Sequence, residues 1–120
     1  MASVIERTAR VRATRLGGQL HRAGLPGAVR GHVDYEARET HRAFQIDLWN
    51  MGYAHATSLS VFVGQQRTGT MRVDEGGHCS FHRDTGHGQR VPILRAGNTV
   101  TIRSRDGADV ARGTLHRTTA

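Results

Sequence analysis

From residue 29 onward the chain is punctuated by a turn signal every eight to twelve residues, and between the turns apolar and polar side chains alternate. "ARETH", "GQQR", "DEGG", "DTGHG", "AGN" and "DGAD" separate runs of five to nine residues that place successive side chains on opposite faces, as a half-buried strand does. In the first run Val29, Gly31, Val33 and Tyr35 share one side, and Arg30, His32, Asp34 and Glu36 share the other. The second run, Phe44, Ile46 and Leu48 against Gln45, Asp47 and Trp49, makes a hairpin with it. "SLSVFV" and "GTMRV" read as a second hairpin. "HCSFH", "RVPIL", "TVTIRS" and "VARGTL" supply further strands. Such spacing excludes βαβ units. It predicts an all-β fold, an antiparallel β-sandwich of the immunoglobulin-like kind or a small barrel, with seven to eight strands. The expected core is Val33, Phe44, Ile46, Leu48, Val61, Val63, Met71, Val73, Phe81, Val100, Ile102 and Leu115, with Tyr35 and Phe62 also read as inward.

The first eighteen residues carry a different pattern. Ser3 and Glu6 stand at capping-box spacing, Arg12 and Arg15 fall where a last turn favours cations, and Gly17 and Gly18 offer a stop, so a short basic helix over residues 4–16 is expected. "ARVRA" also alternates, and an added strand is the competing reading. The division that follows is a basic N-terminal arm at residues 1–18 and one β domain at residues 19–120. The pentads "GQLHR" (18–22) and "GTLHR" (113–117) repeat G-x-L-H-R near the two ends of the chain, as two similar strands would.

A run of motifs in the second half, "GTMRVD", "TGHGQRVP", "RAGNTVTI" and "DGADVARGTL", resembles small bacterial immunoglobulin-like sandwich domains built on G-x-L-x-V-D, V-P, A-G-x-x-V-x-I and G-x-L. The resemblance covers about residues 60–115 and implies a fold. It carries no catalytic residues to this chain.

Charge narrows the partners. The chain has 120 residues and a formal net charge of +7, and all seventeen basic residues are arginine. Residues 1–25 hold five of these against Glu6, which concentrates the excess in the arm. Arg7, Arg10, Arg12 and Arg15 are the candidate polyanion ligands, with nucleic acid as the partner they would take. No apolar run is long enough to span a bilayer, and arginines stand where a signal peptide needs its apolar stretch, so the expected location is cytoplasmic. The single cysteine, Cys79, excludes an internal disulfide.

The stretch "GGHCSFHRDTGHG", residues 76–88, concentrates histidine, cysteine and aspartate. On a strand, Cys79 and Phe81 face inward while His78, Ser80 and His82 face out, and His78 and His82 stand about 13 Å apart at ~3.3 Å per residue, too far to share a metal. His87 folding back over the turn towards His82, with Asp84 as third ligand, is the metal reading that survives, for zinc or copper. Ser80, His82 and Asp84 share a face without a pocket or an oxyanion hole, and the chain is read as a non-enzyme. Val4, Ile5, Trp49, Met51 and Tyr53 are the candidate protein contacts. The leading expectation is a non-catalytic interaction module that self-associates into a homo-oligomer through its arm or its sheet edges. Polyanion binding is the alternative.

Overall fold

The computed structural model describes residues 13–22, 29–49 and 57–118, and within them the chain is all-β and antiparallel. The strands are β1 (Thr14–Arg22), β2 (Val29–Arg38), β3 (His41–Leu48), β4 (Ser58–Val63), β5 (Gln66–Val73), β6 (Cys79–Asp84), β7 (Thr99–Arg103), β8 (Asp109–Thr114) and β9 (His116–Arg117). They hydrogen-bond in the order β2-β3-β6-β5-β4-β7-β8-β1, and β1 pairs back onto β2, so eight strands close a barrel. β9 is a short ninth strand beside the first half of β1. Both expected hairpins are present, β2 on β3 from Gly31↔Leu48 to Arg38↔His41 and β4 on β5 from Ser58↔Arg72 to Val63↔Gln66. No helix among the described residues is long and apolar enough to cross a membrane.

Closure, rather than two facing sheets, departs from the immunoglobulin-like expectation, and the glycines explain it. The pentads "GQLHR" and "GTLHR" lie side by side, with Leu20 and Leu115 both fully buried. A Cβ on Gly18 would stand 2.5 Å from the carbonyl oxygen of Thr114, and one on Gly113 would stand 2.3 Å from that of Gln19. Each pentad's glycine therefore admits the backbone of the other pentad at a separation that no side chain allows. Gly31 does the same for β3, where a Cβ would meet the carbonyl oxygen of Asp47. Strands that approach this tightly coil, and a coiled sheet whose first and last long strands meet becomes a barrel.

β1 also corrects the helix expected over residues 4–16. Thr14, Arg15 and Leu16 are strand, paired with Ala37, Glu36 and Tyr35. Leu16 and Leu20 project into the barrel from one strand face, and the ladder with β2 satisfies a backbone that a short isolated helix would leave marginal. Residues 14–18 are thus part of the wall. The remainder of the expected helix, residues 4–12, lies outside the described residues.

The interior is filled by side chains. Of the expected core, all but Val63 are buried, and Val63 packs partly buried against the rest; Leu16, Leu20, Tyr35, Leu59, Cys79, Val91, Leu94, Val110 and Ala111 complete it. Phe62 is a correction. Phe62 lies between the inward-facing Val61 and Val63, so plain alternation along β4 turns its ring to the outer surface, where the Arg103 guanidinium covers it at 4.4 Å from the ring centroid. "RVPIL" is the second correction, because no strand forms there. Pro92 has no N–H to give a ladder, and the segment instead folds Val91 and Leu94 inward. Two hydrogen bonds hold it: the Leu94 N–H donates to Tyr35 Oη at 3.3 Å, and Arg42 Nε donates to the Val91 carbonyl at 2.9 Å.

Candidate interaction faces

Ladder register assembles the first face. His32 pairs with Asp47, Asp47 with Ser80 and Ser80 with Arg72, so outward side chains of β2, β3, β6 and β5 form one row across the sheet. Asp47 is its centre. Its carboxylate accepts from Ser80 Oγ at 2.7 Å and Gln45 Nε2 at 3.0 Å, while His32 Nε2 lies 3.6 Å and His78 Nε2 3.4 Å from its oxygens. His32 also stands 3.3 Å from Asp34, and His78 Nδ1 stands 3.5 Å from Asp74. Burial opposes the charge on Asp47, but the Ser80 and Gln45 hydrogen bonds and the two imidazoles outweigh it and hold the carboxyl below its ordinary range.

The order of groups decides the chemistry. A nucleophilic serine needs an imidazole to take its proton, with a carboxylate behind the imidazole. Here the carboxylate sits in the middle, so Ser80 donates to Asp47 rather than to an imidazole, and His32 and His78 contact the same carboxylate.

The expected trio of His82, Asp84 and His87 is only partly drawn together. The His82 and His87 rings approach edge to face, with centroids 6.4 Å apart. Asp84 Oδ1 is engaged elsewhere, accepting from the Gly86 N–H and lying 2.7 Å from His41 Nε2. The Gly86 N–H is the main reason the Asp84 carboxyl lies below its usual range; desolvation opposes it, and His41 and then His87 lower the carboxyl further. Asp84 acts as the cap of the 3-10 turn at Thr85–His87. Among the described residues no group of three or more histidine, cysteine or acidic side chains is arranged to hold a metal ion. Cys79 is buried, and desolvation, with the Asp74 charge adding to it, pushes its thiol up to about 11.

The second face lies across the barrel. β3 and β7 are four strands apart in either direction around the eight, so they stand on opposite sides. On the outer surface of β5, β4, β7 and β8 the ladder sets Arg72 beside Ser58, Thr70 beside Ser60, Ser60 beside Arg103, and Arg67, Phe62, Thr101 and Arg112 in one row. Among the described residues the only acid on these strands' outer surface is Asp109. It is bonded by Arg103 Nε at 3.0 Å and by Arg112, which lower its carboxyl in that order of importance after a burial penalty between them. Arg67 and Arg72 are exposed, and neither forms a salt bridge among the described residues.

Between the faces an open groove of about 1050 Å³ runs over β1, β2 and β8. Gly17 leaves its floor bare, and His21, His32, Asp34, Arg112 and His116 wall it.

Of the expected polyanion ligands, Arg15 is committed to Glu36 at 2.9 Å, and Arg7, Arg10 and Arg12 lie outside the described residues. Among the expected contacts, Trp49 borders the acidic face, with its ring 5.7 Å from that of His32 and its backbone N–H donating to the Arg30 carbonyl. Val4, Ile5, Met51 and Tyr53 are outside the described residues. Sequence reasoning missed His32, Asp47 and His78 as a group, and His41 with Asp84 as a pair. Only parity along each strand was legible, and register across strands is what gathers them. No protein-family model matches this chain, and no curated protein is detectably similar to it.

Proposed function

We propose that this barrel is a non-catalytic interaction module that self-associates, the arginine face of one copy seating on the carboxylate face of the next. The observation that carries the reading is the segregation of charge. Arg67, Arg103 and Arg112 share the β5-β4-β7-β8 surface with Asp109, and Arg72 stands on the border between the two faces, whereas Asp34, Asp47, Asp74 and Asp84 stand on the opposite surface with Arg30 and Arg38 at the ends of β2. Complementary charges steer encounter and fix register, although each exposed pair adds only about 0.2–1 kcal/mol. Two different faces on opposite sides make the contact heterologous, so copies stack head to tail rather than closing a dimer. Barrel closure takes from β1 the free edge on which an arm would have been laid, and the faces take over that role.

Light scattering tests the reading. At about 50 mM salt the protein should exceed its monomer mass, and at about 500 mM, where the screening length shortens to a few ångströms, it should approach it. An Arg67→Glu, Arg72→Glu variant should stay monomeric alone and, added to the wild type, should shorten its assemblies, because its carboxylate face still binds while its other face does not. A wild type that is monomeric at low salt overturns the proposal.

Polyanion binding is the second reading, favoured by Phe62 beneath Arg103 amid exposed arginines and hydroxyls. A generic single-stranded oligonucleotide should then bind with an affinity that falls steeply with salt and is lost in the same double variant.

A further inference from the structure

Seven histidines fall among the described residues, and five of them, His32, His41, His78, His82 and His87, stand on the carboxylate face. None stands on the arginine face. The groups that face each imidazole are carboxylates or other imidazoles. His32 meets Asp34 on its own strand and Asp47 on β3, and His78 meets Asp47 on β3 and Asp74 in its turn. His41 meets Asp84 on β6, His87 acts on the same Asp84, and His82 faces His87 and its ladder partner Gln45. Cations nearby are few or already engaged: Arg15 is bound to Glu36, Arg42 to the Val91 carbonyl and Arg83 to Phe81 and the His82 carbonyl, while Arg30 and Arg38 flank β2 at its ends and Arg72 stands beside Ser80.

We infer that the carboxylate face is a pH-operated docking surface for the arginine face of a second copy, net negative when its imidazoles are neutral and net positive when they are protonated. The inference rests on the self-association proposed above. With neutral imidazoles the four carboxylates Asp34, Asp47, Asp74 and Asp84 stand against Arg30, Arg38 and Arg72, a net charge of one negative, since Arg15 and Glu36 cancel each other. Five imidazolium ions bring the same face to four positive charges, which repel arginine. As a class, imidazole changes charge between about pH 8 and pH 5, where carboxylates stay ionised. Asp47, Asp74 and Asp84, with carboxyls below the ordinary range, remain charged throughout that interval. The surface therefore changes sign through its histidines alone.

The experiment is light scattering on the full chain at about pH 7.5 and pH 5.5 at one low ionic strength, beside a variant with all five histidines replaced by glutamine. The wild type should lose at least about half of its weight-average molar mass on acidification, and the glutamine variant should stay assembled at both values. Near-ultraviolet circular dichroism at both pH values verifies that the barrel remains folded. A wild type assembled at pH 7.5 and unchanged at pH 5.5 overturns the switch and leaves self-association standing. A glutamine variant that still dissociates on acidification overturns it as well. A wild type that is monomeric at pH 7.5 removes the switch together with the association it would govern.

Discussion

Replacing Gly113 by alanine puts a methyl carbon 2.3 Å from the carbonyl oxygen of Gln19 and 3.1 Å from Leu20 Cδ2. Non-bonded heavy atoms around a carbon sit at about 3.5 Å or more, so β8 and β1 must part by roughly 1 Å. The obstacle is backbone, which cannot rotate away as a side chain does. Around this point β1 is held to β8 and β9 only through His21↔Arg112, Arg22↔Ala111, Leu16↔Arg117 and Gly17↔His116. Weakening two ladder bonds at about 1 kcal/mol each, with an overpacking strain of at least another ~1 kcal/mol, totals about 3 kcal/mol. That is a large share of the roughly 5–15 kcal/mol that holds a domain of this size. At an m-value near 2 kcal/mol/M the urea midpoint should fall by about 1.5 M. Gly17→Ala is the control on the same strand: its Cβ points outward and meets the Thr118 Cγ2 methyl at 2.9 Å, a flexible neighbour. That variant should stay within about 0.5 kcal/mol of the wild type. If Gly113→Ala does the same, close approach of the two pentads is not what closes the barrel.

The segment carrying Val91 and Leu94 should be worth as much as a strand: Leu94→Ala should cost about 2–5 kcal/mol, and Tyr35→Phe, which removes the acceptor for the Leu94 N–H, about 1 kcal/mol, both read from denaturant midpoints. Cys79, with its thiol raised from 9.0 to about 11, should react with a soluble disulfide reagent at pH 8 about a hundredfold more slowly than an ordinary thiol, and rapid labelling of the native protein would contradict that burial. The Asp47, Asp84 and Asp109 carboxyls lie below their ordinary value of 3.8, so the folded chain binds fewer protons than the unfolded chain in acid. Their stabilisation is complete above about pH 5 and is lost as pH falls through the folded values, below about pH 4; urea midpoints at pH 6, 4 and 3 should decline in that order, and a flat profile would refute it.

Alternation along each strand is a property of the backbone, since successive Cβ atoms point to opposite faces, and it made the two hairpins and the buried positions of Val33, Phe44, Ile46, Leu48, Met71, Val73 and Phe81 legible before any contact was known. It failed where tertiary geometry intervenes. "RVPIL" gave up its alternation to put Val91 and Leu94 inside, whereas Phe62, between the inward-facing Val61 and Val63, obeys alternation and faces out. Thr14–Leu16 suited a helix by composition and became strand once β2 offered a ladder and the barrel a place for Leu16. The pentads were visible as a repeat, but the meaning of their glycines depends on another strand's carbonyl at 2.3–2.5 Å, a relation across about ninety residues. The charged faces belong to the same class. Residues 76–88 advertised their histidines, yet Asp47 draws His32, His78 and Ser80 together from β2, the β5–β6 turn and β6, and Arg67, Arg103 and Arg112 meet on the far side from three strands. Parity is local and is written residue by residue. Register and closure couple residues distant in the chain, and only the folded sheet sets them.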